Sequence, residues 1–268
     1  MPVRSPSPKP PTRSVAVGAT TAEAFAFCWR NRRDLIALAS PGIIILSLVN
    51  SVLAVLLPRP EAVAPEEGAA APTVADMIPE NFLLTLLIFS VPALYFWSTF
   101  AIAWHRRYLA SGEGPTVGQT LRWQAEHTRY LLLSLGLFAL LGVVAAITSR
   151  LVFVGVVLVG VLYSRLVFVL PAASLNESLG YVGSWRLTDG NTFRILAIML
   201  PVVIVLMMMA IVTSAVVMPQ VTLRPTLLPL LLGSLVNQAV AFASTAIAVT
   251  ALSLIYRQLR PQAPATIH

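Results

Sequence analysis

The sequence specifies an all-α polytopic membrane protein: six transmembrane helices, arranged as three hairpins, with cytoplasmic interfacial amphipathic helices between them. Three observations carry this reading. Apolar residues make up 57% of the 268 and charged residues only 11%, and the mean hydropathy of +0.82 lies beyond what a soluble domain of this length shows. Six apolar runs have bilayer length. The basic residues are divided very unequally between the loops on the two sides.

In chain order, Met1 to Val17 is rich in proline and serine and carries Arg4, Lys9 and Arg13. Such a segment cannot bury a core, so residues 1–17 are expected to be a disordered basic tail. No apolar stretch follows its charges, so it does not read as a secretory signal. Residues 18–260 form the membrane domain, with spans at about 35–57, 82–104, 131–149, 151–170, 195–217 and 227–256, and residues 261–268 form a second tail. At 1.5 Å per residue each run can cross a ~30 Å hydrocarbon core. The stretch from Leu131 to Leu170 would be about 60 Å long as one helix, so it must fold back. Its clearest polar break is Thr148-Ser149-Arg150, which predicts a tight hairpin there. Pro41, Pro92 and Pro201 fall within spans, where neighbouring helices can satisfy the freed carbonyls.

The segment Pro171 to Arg194 is polar between two apolar runs, and the sequence reads as though organised around it. Ser174 and Glu177 have capping-box spacing, and Leu179, Val182 and Trp185 fall on one helical face. This predicts a short helix lying in the interface, closed by a turn at Asp189-Gly190-Asn191. Looser copies begin at Thr20 with Glu23, followed by Trp29 and Arg30, Arg32 and Arg33, and at Thr116 with Gln119, followed by Arg122, Trp123 and Arg129. The repeated unit is an interfacial helix followed by a transmembrane hairpin, an old triplication.

The positive-inside rule orients the bundle. With the amino terminus inside, fifteen basic residues lie on the cytoplasmic side, among them Arg106, Arg107, Arg165, Arg186, Arg194, Arg257 and Arg260, whereas only Arg59, Arg150 and Arg224 lie outside. The outer loop Pro58 to Asn81 is instead acidic, with Glu61, Glu66, Glu67, Asp76 and Glu80. Both termini are therefore expected in the cytoplasm, in a bacterial inner membrane. The net charge of +7 is accounted for by this placement, without nucleic acid as a partner.

Residues Ser164-Arg165, Leu170-Pro171, Glu177, Ser184-Trp185-Arg186-Leu187-Thr188, Gly190-Asn191 and Arg194-Ile195-Leu196 resemble a run found in the membrane domain of glycerophosphoryl diester phosphodiesterases and in a large set of six-helix bacterial membrane proteins. His105-Arg106 and Gly112-Glu113-Gly114-Pro115 through Arg122 are similar to that family's other inner loop. The resemblance is specific over about Tyr163 to Leu196. In the phosphodiesterases a catalytic barrel follows; such a barrel needs about 250 further residues, so the resemblance implies the membrane domain without the enzyme.

The residues themselves point away from catalysis. His105, His127 and His268 read as inner-loop or tail residues, no pair has metal-ligand spacing on one helix, and no Asp or Glu falls inside the spans. No cofactor is expected, and Cys28 as the single cysteine excludes a disulfide. Absent buried acids also argue against a proton-coupled carrier. The expected function is non-enzymatic: a basic, tryptophan-bearing rim of Arg30, Arg32, Arg33, Arg106, Arg107, Arg122, Arg129, Trp185, Arg186 and Arg194 that binds anionic membrane lipids or a protein partner, with homo-oligomers as a further possibility. The alternative is a small-solute or lipid carrier with a polar path at Arg165, Asn237 and Gln238. The pairs Gly142/Ala146, Ala239/Ala243 and Ser244/Ala248 have the small-xxx-small spacing of close helix contacts.

Overall fold

A computed structural model describes residues 14–56, 82–110, 116–223 and 226–260. The acidic segment Pro58 to Asn81, residues 1–13 and 261–268, and Gly112 to Pro115 lie outside the described residues, whereas Ser14 to Val17, expected to belong to the disordered tail, are described: Val15 is buried and Val17 opens α1. Those described form ten helices: α1 (Val17–Arg30), α2 (Arg32–Leu56), α3 (Phe82–Leu109), α4 (Val117–Thr120), α5 (Ala125–Ile147), α6 (Val152–Leu166), α7 (Val169–Ser174), α8 (Tyr181–Leu187), α9 (Thr192–Leu223) and α10 (Leu227–Leu259). Six helical segments are long and apolar enough to cross a membrane, with α6 and α7 together making one of them.

The bundle is built on α10. Its 33 residues are about 50 Å long, and it packs against α1, α2, α3, α7 and α9. Small residues let partners come close. Gly42 of α2 lies against the Phe242 ring so tightly that an added Cβ would stand 2.5 Å from Cζ. Phe242 stacks on Trp97 at 4.1 Å and meets Phe100 edge-on at 5.1 Å, geometries worth about 0.5–1.5 kcal/mol beyond area burial.

The first of the three units expected from the sequence departs from its expected start. Thr20 is not a cap: α1 begins at Val17 with Ala16 as its N-cap, and Thr20 is buried one turn inside. Thr20, Ala24 and Cys28, spaced four apart, form the buried face of α1. Gln258 Nε2 donates to Thr20 Oγ1 at 3.0 Å, and Cys28 Sγ lies 3.5 Å from Thr250 Oγ1. Eight residues forward in α1 match eight residues backward in α10, so the two helices run antiparallel and in register. At Asn31 the chain breaks, with the Asn31 side chain donating to Phe27 O at 2.9 Å, and α2 follows.

The second unit begins as expected. Thr116 Oγ1 accepts from the Gln119 amide at 3.4 Å while Gln119 Oε1 accepts from the Thr116 amide at 2.9 Å, a closed capping box on α4. The α5/α6 hairpin turns at residues 148–151, where Leu151 N donates to Thr148 O at 2.8 Å and Thr148 Oγ1 back-bonds to Val144 O at 2.8 Å.

In the third unit, Ser174 and Glu177 end a helix instead of starting one. Pro171 has no N–H for Val167 O, which accepts at 3.0 Å from Leu170 N instead, breaking α6 from α7. After Ser174 the chain turns left-handed at Asn176, φ 59°. There Asn176 N donates to Ala173 O at 3.0 Å and Glu177 N to Ala172 O at 2.9 Å. These two bonds are a Schellman motif. The next helix, α8, starts only at Tyr181, with Gly180 as its N-cap, so Leu179 precedes it. Gly190, at φ 74°, supplies the expected turn into α9.

Candidate functional site

Contacts across the chain gather the basic residues at one end of the bundle, where α2 and α5 begin and α3 and α10 end. Two populations of arginine result. The first is ion-paired, with Arg106, Arg107 and Arg165 partly buried and Arg30 and Arg260 exposed. Arg106 donates from Nε to Ser174 O at 2.7 Å and pairs through Nη2 with Glu126 at 2.9 Å. Arg107 pairs with Asp34 at 2.5 Å, Arg260 with Glu177 at 2.6 Å, and Arg30 with Glu23. Glu177 also accepts from the Tyr256 hydroxyl. Arg165 sits over the Trp185 ring at 4.9 Å, donates to Trp185 O at 3.2 Å and lies 3.6 Å from Asp189. Ser184 Oγ donates to Arg165 O at 2.7 Å, Tyr181 to Leu133 O at 2.7 Å, and Val15 N to Asn191 Oδ1 at 3.3 Å. The segment from Ala172 to Asn191 therefore belts α10, α5, α6 and the amino-terminal arm together.

The second population faces outward. Among the described residues Arg33, Arg122, Arg129, Arg186 and Arg194 form no ion pair, and all but the half-buried Arg129 are exposed. Arg32 stacks over Trp29 at 5.3 Å. Trp29 is 73% exposed, Trp123 41% and Trp185 43%. Trp123 Nε1 donates to Thr128 at 2.9 Å. Such rings, apolar in body and polar at one edge, suit headgroup depth. Arg257, which the sequence reading left out of the rim set, lies 4.7 Å over the Tyr108 ring. Its spacing of three from Arg260 gave no hint, because the partner is on another helix.

The proposed polar path does not assemble. Arg165 is occupied at the rim, α6 and α10 do not pack extensively, Asn237 is exposed and Gln238 is buried on α10. Between α2 and α10, Asn50 donates to Ser234 Oγ at 3.3 Å, while Ser51 bonds back to Ser47 O at 2.7 Å.

Nor is His105 a loop residue. It is fully buried inside α3, 2.7 Å from Ser253 Oγ. Ser253 donates its own hydrogen to Val249 O, so His105 Nδ1 must carry the proton, and Nε2 is left as an unpartnered acceptor. One turn away on α10, Thr250 donates to Ala246 O at 2.7 Å and accepts from Trp104 Nε1 at 2.8 Å. Burial pushes the neighbouring Cys28 thiol up from its ordinary pKa, against the lowering effect of hydrogen bonds from Thr250 and Trp104. His127, also expected in a loop, sits in the first turn of α5 and accepts at Nδ1 from the Gln124 amide at 3.1 Å. Among the described residues no three His, Cys, Asp or Glu side chains gather as a metal site would require.

Two hollows border these groups. A small one of about 300 Å³ lies beside Glu177, Tyr256 and Arg260. A larger groove of about 980 Å³ runs between α5, α6 and α9, with walls that include Phe138, Gly142, Val156, Tyr163, Leu196 and Leu200. Gly142 faces this groove: an added Cβ there would meet nothing within 4 Å. The Gly142/Ala146 pair is thus exposed and does not mark a close helix contact.

No protein-family model, curated protein or solved structure matches this chain.

Proposed function

We propose that the chain is a non-enzymatic integral membrane protein whose rim binds anionic lipid headgroups, in a bacterial inner membrane with both termini in the cytoplasm. The observation that carries this reading is the division of the arginines. Acidic partners are supplied to Arg30, Arg106, Arg107, Arg165 and Arg260, yet among the described residues Arg33, Arg122, Arg129, Arg186 and Arg194 form no ion pair, on a chain that also exposes Trp29, Trp123 and Trp185. A guanidinium near an anionic surface gains about 1 kcal/mol. The same residues satisfy the positive-inside rule for that orientation. Kinship with the phosphodiesterase membrane domain remains part of this proposal: the run that resembles it is the belt that closes the rim.

The test is lipid selectivity of the full chain in mixed phosphatidylglycerol and phosphatidylcholine bilayers, read by mass spectrometry of retained lipid. Replacing Arg33 and Arg122 by Gln should lower phosphatidylglycerol enrichment about 30-fold, two contacts of ~1 kcal/mol each. An enrichment unchanged in the double variant refutes the reading.

A further inference from the structure

We infer that Trp29, Arg32, Arg33 and Ile36, at the joint between α1 and α2, form one face that holds a phospholipid by its phosphate, and that α1 stands out of the bilayer above this face as the continuation of α2. This inference rests on the rim reading and names a lipid contact within it.

Register along α10 sets the direction of both helices. Thr20 and Cys28 of α1 meet Gln258 and Thr250, and Gly42 and Asn50 of α2 meet Phe242 and Ser234. In each helix eight residues forward match eight backward on α10, so α1 and α2 run the same way, one after the other. Asn31 joins them with α-helical bonds on both sides, from Asn31 N to Phe27 O at 3.0 Å and from Leu35 N to Asn31 O at 2.9 Å. Because α10 crosses the membrane, Thr20 and Cys28 differ in depth by about 12 Å, little reduced by an ordinary tilt of ~20°. A helix lying in the interface would hold them at one depth. Lengths agree with this: α10, at about 50 Å, exceeds a ~30 Å core by about 20 Å. Its first turns expose Leu227, Leu228 and Leu232, so the excess lies at the other, basic end, where the 14 residues of α1, about 21 Å long, run beside it. Nor has α1 an apolar side to spare for lipid. Phe25 and Phe27 pack on the core, with Phe27 edge-on to Trp104 and Tyr108 at 5.7 and 4.8 Å, and Gly18, Ala19 and Ala22 are what α1 exposes above Trp29.

The joint then falls where the headgroups are. Trp29, Arg32, Arg33 and Ile36 are spaced i, i+3, i+4 and i+7, one helical face, and all four are exposed. Ile36, 65% exposed, stands a turn below the arginines on the apolar span, and Trp29, 73% exposed, a turn above them. Arg32 lies over the Trp29 ring at 5.3 Å and donates to Trp29 O at 3.3 Å, which holds its guanidinium in place. Asp34, next in sequence, is taken by Arg107, so Arg32 and Arg33 face outward without an ion pair among the described residues. A phosphodiester complements this charge, and paired guanidinium groups suit its oxygens. The acyl methylenes next to it cover Ile36, and the indole lies at the depth that tryptophan prefers.

The experiment uses the full chain in nanodiscs of phosphatidylglycerol and phosphatidylcholine. Single Ala19→Cys, Ala22→Cys, Trp29→Cys and Ile36→Cys variants of the Cys28→Ser chain carry spin labels, whose collisions with oxygen and with a water-soluble nickel chelate report depth. Labels at 19 and 22 should be open to nickel and the label at 36 to oxygen, with 29 between them. One common depth for 19, 22 and 29 overturns the upright helix. In the chain without cysteine changes, Arg32→Gln with Arg33→Gln should lower phosphatidylglycerol enrichment about 30-fold. Ala16→Glu with Ala19→Glu should leave it within about twofold, because Ala19 is 14 residues, about 21 Å, from Arg33 along the helix and the Debye length is ~8 Å. Enrichment unchanged by the arginine pair, or lowered as far by the glutamate pair, overturns the site. Loss in the Arg33 and Arg122 variant without loss in the Arg32 and Arg33 variant overturns this face and leaves the rim reading standing; loss in neither overturns both.

Discussion

The side of the molecule around α10 and the side formed by α5, α6 and α9 are made from the same kinds of residue and packed in opposite ways. In the most apolar stretch of α10, 61% of residues are buried within the protein, against 17% for α5 and 22% for α9. Around α10, hydroxyls and aromatic edges interlock: Trp104 with Thr250, His105 with Ser253, Trp97 with Phe242. Around α5 and α6, glycines leave a hollow and leucines face outward. Hydrocarbon solvates leucine as well as protein does, so burial in a membrane follows shape and hydrogen bonding, with little contribution from hydrophobicity.

If that contrast is right, substitutions of equal chemistry should differ sharply between the two sides. Phe242→Ala, which strips both ring contacts from α10, should cost about 3 kcal/mol or more in a reversible detergent-unfolding titration. Phe138→Ala on the groove wall should cost well under 1 kcal/mol, since the ring is 60% exposed and lipid replaces its contacts. Comparable costs at the two positions would remove the distinction.

A smaller effect sharpens the polar part of the contrast. Thr250→Val takes away one acceptor from Trp104 Nε1 but leaves Ala246 O at 3.1 Å, so it should cost about 1 kcal/mol, near the ~0.6 kcal/mol average for hydrogen bonds between membrane helices. Glu177→Gln removes the charge paired with Arg260, but the two side chains are 26% and 50% exposed. Solvent screening keeps that loss below about 1 kcal/mol, measurable as a small shift in thermal unfolding that vanishes at high salt.

The smallest change is a difference in reactivity alone. Cys28 is buried against Thr250 and its thiol pKa is raised by desolvation, so at pH 7 it remains protonated and should alkylate slowly in the native protein and rapidly in denaturant. Prompt native labelling would mean that α1 does not stay docked on α10.

Several site features were legible in the chain because local chemistry determines them. The capping box at Thr116 and Gln119, the turn at Gly190 and the break at Thr148 to Arg150 each depend on neighbours within four residues. The string at Ser174 to Glu177 misled for the same reason. Its spacing fits an N-cap, but Asn176 accepts the left-handed conformation and Pro171 has already interrupted the helix, so the string closes α7. His105 misled because a histidine between Trp104 and Arg106 looks interfacial, and its partner Ser253 is 148 residues away.

Composition and apolar length by themselves determined that this chain forms six membrane-length helices, because the energy of an unsatisfied peptide group in hydrocarbon leaves no other choice. Charge spacing determined that its arginines would collect at one end. Only the tertiary structure decided that α10, not the polar segment after Pro171, stands at the centre, which arginines have acidic partners, and where a groove remains open. Those outcomes depend on side chains from distant parts of the chain meeting at contact distance, and in a medium as apolar as the residues themselves hydrophobicity carries no record of which pairs will meet.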